Sequence, residues 1–471
     1  MCTLWKAGEK NGLFWKSVLM MIQINMPKNV RQIIEILNRN GFEAYIVGGC
    51  VRDAILGRQP DDWDITTSAK PEEVKAVFNR TVDTGIQHGT VTVMLKNLDS
   101  GALEGYEVTT YRVDGEYENH RRPTAVTFTA SLIEDMKRRD FTINAMAYND
   151  NEGLIDNFDG IMDLERGVIR CVGEPSERFD EDALRILRGV RFAAQLDFTI
   201  DRGTQEAIRS QAGLLKDISA ERIQTELNKL LLSAHPERIR TAYELGVTKV
   251  VLPEFDAMME TAQNHKHHQY TVGEHTIHVM EEVPAVRVLR WAALLHDVAK
   301  PVVKTTDENG DHFYGHNEVG EHLAEEILKR LKFDNDTISR VKRLVHWHDY
   351  GMGQRPSISS FRKALNKMGA DLFLEYAQLK RADILAQSDF MQQEKLSNLD
   401  CLMQYYEEIM KQAQCLTVKD LAVTGKDLIA QGMKPGREIG EMLTYLLECV
   451  LEEPEKNERD TLLALAKNAG L

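Results

Sequence analysis

Residues 46–66 read IVGGCVRDAILGRQPDDWDIT. The run FEAYIVGG that leads into it reads as a strand ending in a glycine turn, and a short helix is predicted over 51–56. Ahead of it, Val30, Ile33, Ile34 and Leu37 repeat at helical spacing, with Gly41 as the C-cap. Adjacent glycines at 48 and 49 let backbone N–H groups come close to an anion such as a phosphate, and Arg52 adds charge-assisted contacts. In extended chain, residues i and i+2 share a face, so Asp62 and Asp64 present two carboxylates side by side. That pair suits an oxygen-preferring cation such as Mg2+. A glycine-lined anion site beside a cation-binding acid pair is what phosphoryl transfer requires.

Working outward, strands are predicted at 90–95 (TVTVML), 106–112 (YEVTTYR) and 125–128 (AVTF). From about residue 176 the pattern turns helical, with amphipathic runs at 180–195, 219–233, 318–332, 336–347 and 371–387. The expected fold is an α+β head, a small mixed sheet with helices, followed by all-α segments. The expected organisation is an N-terminal extension (1–25), a head (26–155), a helical neck and body (156–264), a histidine-rich domain (265–390) and a helical tail (391–471). Of the 471 residues, 43% are hydrophobic and 28% charged, the balance of a soluble protein. Six scattered cysteines with no CxxC spacing point to a reducing, cytoplasmic setting without a disulfide frame or Cys-ligated zinc. No apolar run is long enough to span a bilayer. The net charge of −15 argues against a non-specific nucleic-acid binder. It leaves room for a local basic groove, and MKRRD (136–140) and LRILRGVRF (184–192) are locally basic.

Five ordered motifs then make a specific match across roughly residues 26–255. GGCVRDAILGRQPDDWDIT resembles the first motif of class II tRNA nucleotidyltransferases, the CCA-adding enzymes and bacterial poly(A) polymerases. RRDFTINAMAY (138–148) resembles their ribose-contacting motif and IDNFDGIMDLERGVIR (155–170) their hinge motif. RFDEDALRILRGVRFA (178–193) resembles the nucleotide-selecting motif and SAERIQTELNKLL (219–231) the last one. Cys50 and Trp63 depart slightly, standing where other small or apolar residues are usual. The resemblance implies catalysis by Asp62 and Asp64 through Mg2+, with tRNA, CTP and ATP as partners and CCA addition as the reaction. A poly(A) polymerase is the alternative.

Glu181 to Arg185 reads as a helix start whose apolar face is Ala183, Leu187, Val190 and Ala194, with Asp182 and Arg185 sharing another face. Cytosine and adenine both place an exocyclic amino donor next to a ring-nitrogen acceptor. An Asp accepting from the first and an Arg donating to the second would select those two bases; otherwise the pair is a surface ion pair. Arg188, one turn on, and with it Arg191, are assigned to nucleotide binding. Arg139, Asp140 and Asn144 are expected at the ribose, although Asp140 also reads as a helix N-cap. Glu107 reads as a solvated edge-strand residue rather than a third acid at the cation. The polar stretch 109–128 reads as a mobile loop, which in CCA-adding relatives helps the switch from C to A addition.

Eleven of the 14 histidines fall between 265 and 348. GEHTIHVM (273–280), LLHDVAKP (294–301), FYGHNEVG (313–320) and LVHWHDY (344–350) resemble an HD-type metal-dependent phosphohydrolase domain. That resemblance implies His275, His296, Asp297 and Asp383 as ligands of a transition metal, with His316 and His346 as further candidates. A second alternative follows, an HD phosphohydrolase with an RNA-binding N-terminal half. In the tail, the Gly432–Gly436 loop before a helix near Arg437 either seats an RNA phosphate or is a plain helix–helix turn.

Overall fold

The computed structural model describes residues 22–97, 101–115, 117–118, 122–123, 126–264, 269–308, 310–351 and 355–470. Residues 1–21, most of the expected extension, lie outside these; Ile24 and Met26 are buried. The chain divides into two units, Met1–Leu230 with Arg238–Val251, and Leu231–Glu237 with Leu252–Leu471.

The first unit is built on a seven-stranded mixed sheet. Its strands are β1 (Ala44–Val47), β2 (Ile65–Thr67), β3 (Thr81–Gly85), β4 (Thr90–Lys96), β5 (Leu103–Thr110), β6 (Met146–Asn149) and β7 (Gly153–Asp156), in the order β7-β6-β1-β2-β5-β4-β3. β2 and β5 run parallel, and the remaining neighbours are antiparallel. One row across the centre is Tyr148, Ile46, Ile65, Val108 and Val91, all buried. Helix α1 (Lys28–Arg39) sets Val30, Ile33, Ile34 and Leu37 into the core and ends at Gly41, whose φ of 85° suits glycine.

The short strands β2, β6 and β7 escape a periodicity reading, because three or four residues carry too little alternation. In 109–128 the described residues form two strand pairs, Arg112–Asp114 with Val126–Phe128 and Tyr117–Glu118 with Arg122–Pro123; the rest of that loop lies outside the described residues. The predicted helix over 180–195 is broken. One helix ends at Glu181 and the next, α2 (Leu184–Leu196), begins after the extended residue Asp182 (φ −138°, ψ 101°). The Asp182 carboxylate accepts the Leu184 N–H at 3.1 Å, which caps the second helix and competes with continuing the first. The apolar face is as expected, with Ala183, Leu187, Val190 and Ala194 all buried.

The second unit is helical apart from the hairpin Thr305–Asp307/Gly310–His312. Helices α3 (Val272–Glu282), α4 (Arg287–Leu295), α5 (His316–Arg330), α6 (Asn335–Trp347) and α7 (Phe373–Ala386) enclose Trp291, Phe373 and Tyr376. In the tail, α8 (Arg437–Glu452) starts where expected, and Arg437 pairs with Glu441 on its exposed face. Among the described residues no helix is long and apolar enough to cross a membrane.

Candidate active site

β1 ends at Val47, and Gly48 takes φ 83°, ψ −133°, a conformation side chains disfavour, before the short helix Gly49–Ile55 begins. A Cβ on Gly48 would stand 3.0 Å from Arg139 Nη1, so the turn and that guanidinium touch. Across the strands, the Val47 N–H donates to Asp64 O at 3.0 Å. Because Ile65 pairs with Val108 in parallel register, Asp64 falls next to Glu107, one residue back on each strand and on the same face. Asp62 precedes Asp64 by two residues in extended chain.

Three carboxylates therefore converge. β5 lies inside the sheet between β2 and β4, so the expectation that Glu107 is a solvated edge residue is corrected. A cleft of about 940 Å³ opens here, lined by Asp61, Asp62, Asp64, Thr92, Glu104 and Glu107. Burial pushes the Asp64 carboxyl up; Arg139 opposes that and Asp62 adds to it. Burial also raises Glu107, reinforced by Asp64 and Asp62. Hard oxygen donors crowded against their mutual repulsion form a site that a divalent cation relieves.

Behind the turn runs a chain of charge-assisted bonds. Arg52 donates from Nε and Nη2 to Asp53 (2.9 and 2.8 Å) and from Nη1 to Asn144 Oδ1 (2.6 Å). Asn144 Nδ2 donates to Asp140 Oδ1 (3.1 Å), and Arg188 Nε donates to Asp140 Oδ2 (2.7 Å). Burial alone would raise the Asp140 carboxyl; Arg188 and Asn144 reverse that and hold it well below the usual carboxylate range. Asp140 also accepts the Phe141 N–H at 2.8 Å, so it caps a single 3-10 turn, Thr142–Asn144, rather than a helix. Arg191 pairs with the buried Glu226 at 2.8 Å, and burial draws its pKa down to about 10 against that partner. The guanidinium carbons of Arg52, Arg188 and Arg191 stand 5.0, 5.3 and 3.9 Å from the centroid of the Phe192 ring.

Residues 44–170 match the family described as the Poly A polymerase head domain, 197–259 the RNA and SrmB-binding site of polymerase A, and 314–466 tRNA nucleotidyltransferase domain 2. The CCA-adding enzyme of Lactiplantibacillus plantarum is 36% identical over 456 residues, 95% of this chain and 98% of that relative. That of Enterococcus faecalis is 37% identical over 94% of this chain and 96% of its own. The chain belongs to the CCA-adding enzymes. A Bacillus stearothermophilus CCA-adding enzyme, solved in complex with CTP, superposes with a TM-score of 0.68 at 29% identity, covering 93% of this chain and 96% of that one. As a CCA-adding enzyme the chain is a nucleotidyltransferase, an enzyme class that works with divalent metal ions.

Within this CCA-adding enzyme, Asp182 and Arg185 do not share a helix face. Asp182 pairs with Arg222 (2.8 Å), and Arg185 binds Glu181 and the carbonyls of Arg178 (3.0 Å) and Arg138 (2.9 Å). The expected surface ion pair between them is thereby replaced by two separate pairs. Arg188 is held by Asp140 and Arg191 by Glu226, so both reach the site through acidic partners. Sequence reasoning missed Asp53, Phe192, Arg222 and Glu226 as parts of this wall. Arg222 and Glu226 stand four apart in the last quoted motif and share a helix face, which was the available signal.

In the second unit His275, His296, Asp297 and Asp383 do come together, all buried, with His275 Nε2 3.1 Å from Asp383 Oδ1 and His296 Nε2 3.2 Å from Asp297 Oδ2. His316 joins them, 3.6 Å from Asp297 Oδ1. His278 pairs with Glu281 and His346 with Glu321 (both 2.9 Å), so neither belongs to the cluster; His346 as a ligand candidate is corrected.

Proposed function

We propose that this chain transfers CMP and AMP from CTP and ATP to the 3′ end of tRNA without a nucleic-acid template. One observation carries the reading: the row that sets Asp64 against Glu107, with Asp62 alongside, directly beside the Gly48 turn. The names of its relatives and the CTP complex of the Bacillus neighbour support the substrate choice. Asp62, Asp64 and Glu107 hold Mg2+, which when bound lowers the cost of charge developing on the attacking and leaving oxygens. The tRNA 3′-hydroxyl oxygen bonds to the α-phosphorus as the bond to pyrophosphate breaks. The Gly48 and Gly49 N–H groups and Arg52 bind the triphosphate, and Arg139, Asp140 and Asn144 face the ribose. Asp182 and Arg185 read the base: Arg222 and Glu181 give way, the carboxylate accepts the exocyclic amino group and the guanidinium donates to the ring nitrogen. Arg188 and Arg191 brace this wall through Asp140 and Glu226. The helical tail, 391–471, contacts tRNA. Incubation with a tRNA lacking CCA and labelled CTP or ATP tests the proposal. Incorporation of both nucleotides in order is expected, ATP alone would favour the poly(A) alternative, and no incorporation overturns the reading.

A further inference from the structure

The histidines of the second unit hold their protons on the outside. His296, His316 and His348 each direct Nδ1 at a backbone carbonyl, of Ala293 (2.8 Å), Phe313 (2.8 Å) and Val345 (2.6 Å). His275 Nδ1 faces Ala386 O at 3.4 Å. A carbonyl only accepts, so each Nδ1 carries the proton and each neutral ring turns a bare Nε2 lone pair inward. Those lone pairs meet. Nε2 of His275 lies 3.4 Å from that of His296, and Nε2 of His316 lies 3.2 Å from that of His348. Four inward lone pairs in a buried space repel one another unless cations stand among them. Backbone-anchored Nδ1–H groups are also how metal-ligating histidines are oriented.

Asp297 divides the cluster in two. Its Oδ2 is 3.2 Å from His296 Nε2 and 3.8 Å from His275 Nε2, and its Oδ1 is 3.6 Å from Nε2 of both His316 and His348. Among the described residues, Oδ1 completes no hydrogen bond, although the residue is fully buried. A carboxylate closes each half: Asp383 Oδ1 lies 3.1 Å from His275 Nε2, and Asp349 Oδ2 lies 3.1 Å from His316 Nε2. The two donor sets are thus His275, His296, Asp383 and Asp297 Oδ2, and His316, His348, Asp349 and Asp297 Oδ1. The alternative, a salt-bridge network closed by Lys300 (2.7 Å from Asp297 Oδ2) and by protonated rings, leaves Asp297 Oδ1 unsatisfied. The second set includes His348 and Asp349, a repeat of the His-Asp dipeptide at 296–297 that the sequence reading left unused.

We propose that this cluster is a two-cation centre bridged by Asp297, and that it hydrolyses phosphoesters. Mixed imidazole and carboxylate donors suit Mn, Fe, Ni or Zn. Two cations flanking one carboxylate can stabilise both the attacking and the departing oxygen. Water adds to the phosphorus, the ester P–O bond breaks, and the leaving alcohol takes up a proton released by the water. Substrate reaches the second set, because the Asp349 side chain is 40% exposed while those of His275, His296 and Asp383 are 4% or less. The inference does not depend on the nucleotidyl-transfer reading.

Mn2+ binding to the full-length chain tests it, measured by elemental analysis and equilibrium dialysis in excess Mg2+, which saturates the all-oxygen site of the first unit. The parent is expected to hold two Mn2+ per chain with an exchange-coupled paramagnetic resonance spectrum. H348A and D349N are expected to hold one, with an uncoupled spectrum, and D297N none. D349N changes a part-exposed side chain, so it remains informative if the buried variants fail to fold. The loaded parent is expected to hydrolyse bis-p-nitrophenyl phosphate or p-nitrophenyl phosphate, with at least a tenfold loss in D349N. One Mn2+ or none in the parent, or two retained in D349N, overturns the two-cation centre. Two bound Mn2+ without hydrolysis of either ester overturns the assigned chemistry.

Discussion

Replacing Asp140 by Asn removes one charge and almost no volume. In the parent, Oδ1 accepts from the Phe141 N–H and Asn144 Nδ2, and Oδ2 accepts from Arg188 Nε and Nη2 (2.7 and 2.5 Å). An asparagine that keeps its oxygen toward Phe141 points its NH2 at the guanidinium, donor against donor. Breaking a fully buried ion pair costs about 3–5 kcal/mol. The Arg188 side chain is 34% exposed, and discounting for that screening leaves roughly 2–3 kcal/mol. For a unit of this size the transition midpoint should fall by roughly 4–12 °C. The sign with pH follows from the depressed Asp140 carboxyl. Its contribution is complete above the unfolded value, near 4, and is lost as pH falls toward the lower folded value. The gap between parent and D140N is therefore constant from about pH 5 to 8 and narrows below about pH 4. Asn144 and Arg52 lose their anchor as well, so kcat/KM for CTP should drop about 10–100-fold. Thermal scans by circular dichroism across pH, with steady-state CTP incorporation, make the measurement. Equal midpoints at pH 7, or a gap that does not narrow between pH 5 and pH 3, would refute the reasoning.

Gly48→Ala should destabilise the first unit by about 1–3 kcal/mol, since φ 83° with ψ −133° is a glycine conformation, and should slow transfer by displacing Arg139; an unchanged denaturation midpoint contradicts this. Glu107→Gln should raise the Mg2+ concentration needed for half-maximal CTP incorporation while leaving stability within about 1 kcal/mol, because the lost charge relieves repulsion from Asp64 and Asp62. Arg222→Gln should free Asp182 and alter the ratio of correct to incorrect nucleotide incorporated in single-nucleotide assays; an unchanged ratio would separate that ion pair from base choice.

The sequence was legible where chemistry is local. Two glycines, an arginine and two acids within twenty residues announce a phosphate and cation site without any knowledge of the sheet. The buried stripes of α1 and α2 follow from spacing alone. What stayed hidden depends on pairing between distant strands or on a competing local bond. Glu107 could be placed only once β5 was known to lie between β2 and β4. Asp182 left its helix because its own carboxylate offered the backbone another partner. Arg185, Arg188 and Arg191 were correctly singled out as residues of the site wall. Their acidic partners were not, since Glu181, Asp140 and Glu226 become neighbours through the tertiary fold as much as through spacing.

The register that sets Asp64 beside Glu107 also dictates when the acid cluster can exist. Its members are separated by more than forty residues of chain and meet through a parallel pair, which no hairpin can form. A ribosome that has released only the glycine turn and the first two acids has made no cation trap. The trap arises after β5 has emerged and slotted between its neighbours, so a growing chain is chemically silent until the middle of its sheet has closed.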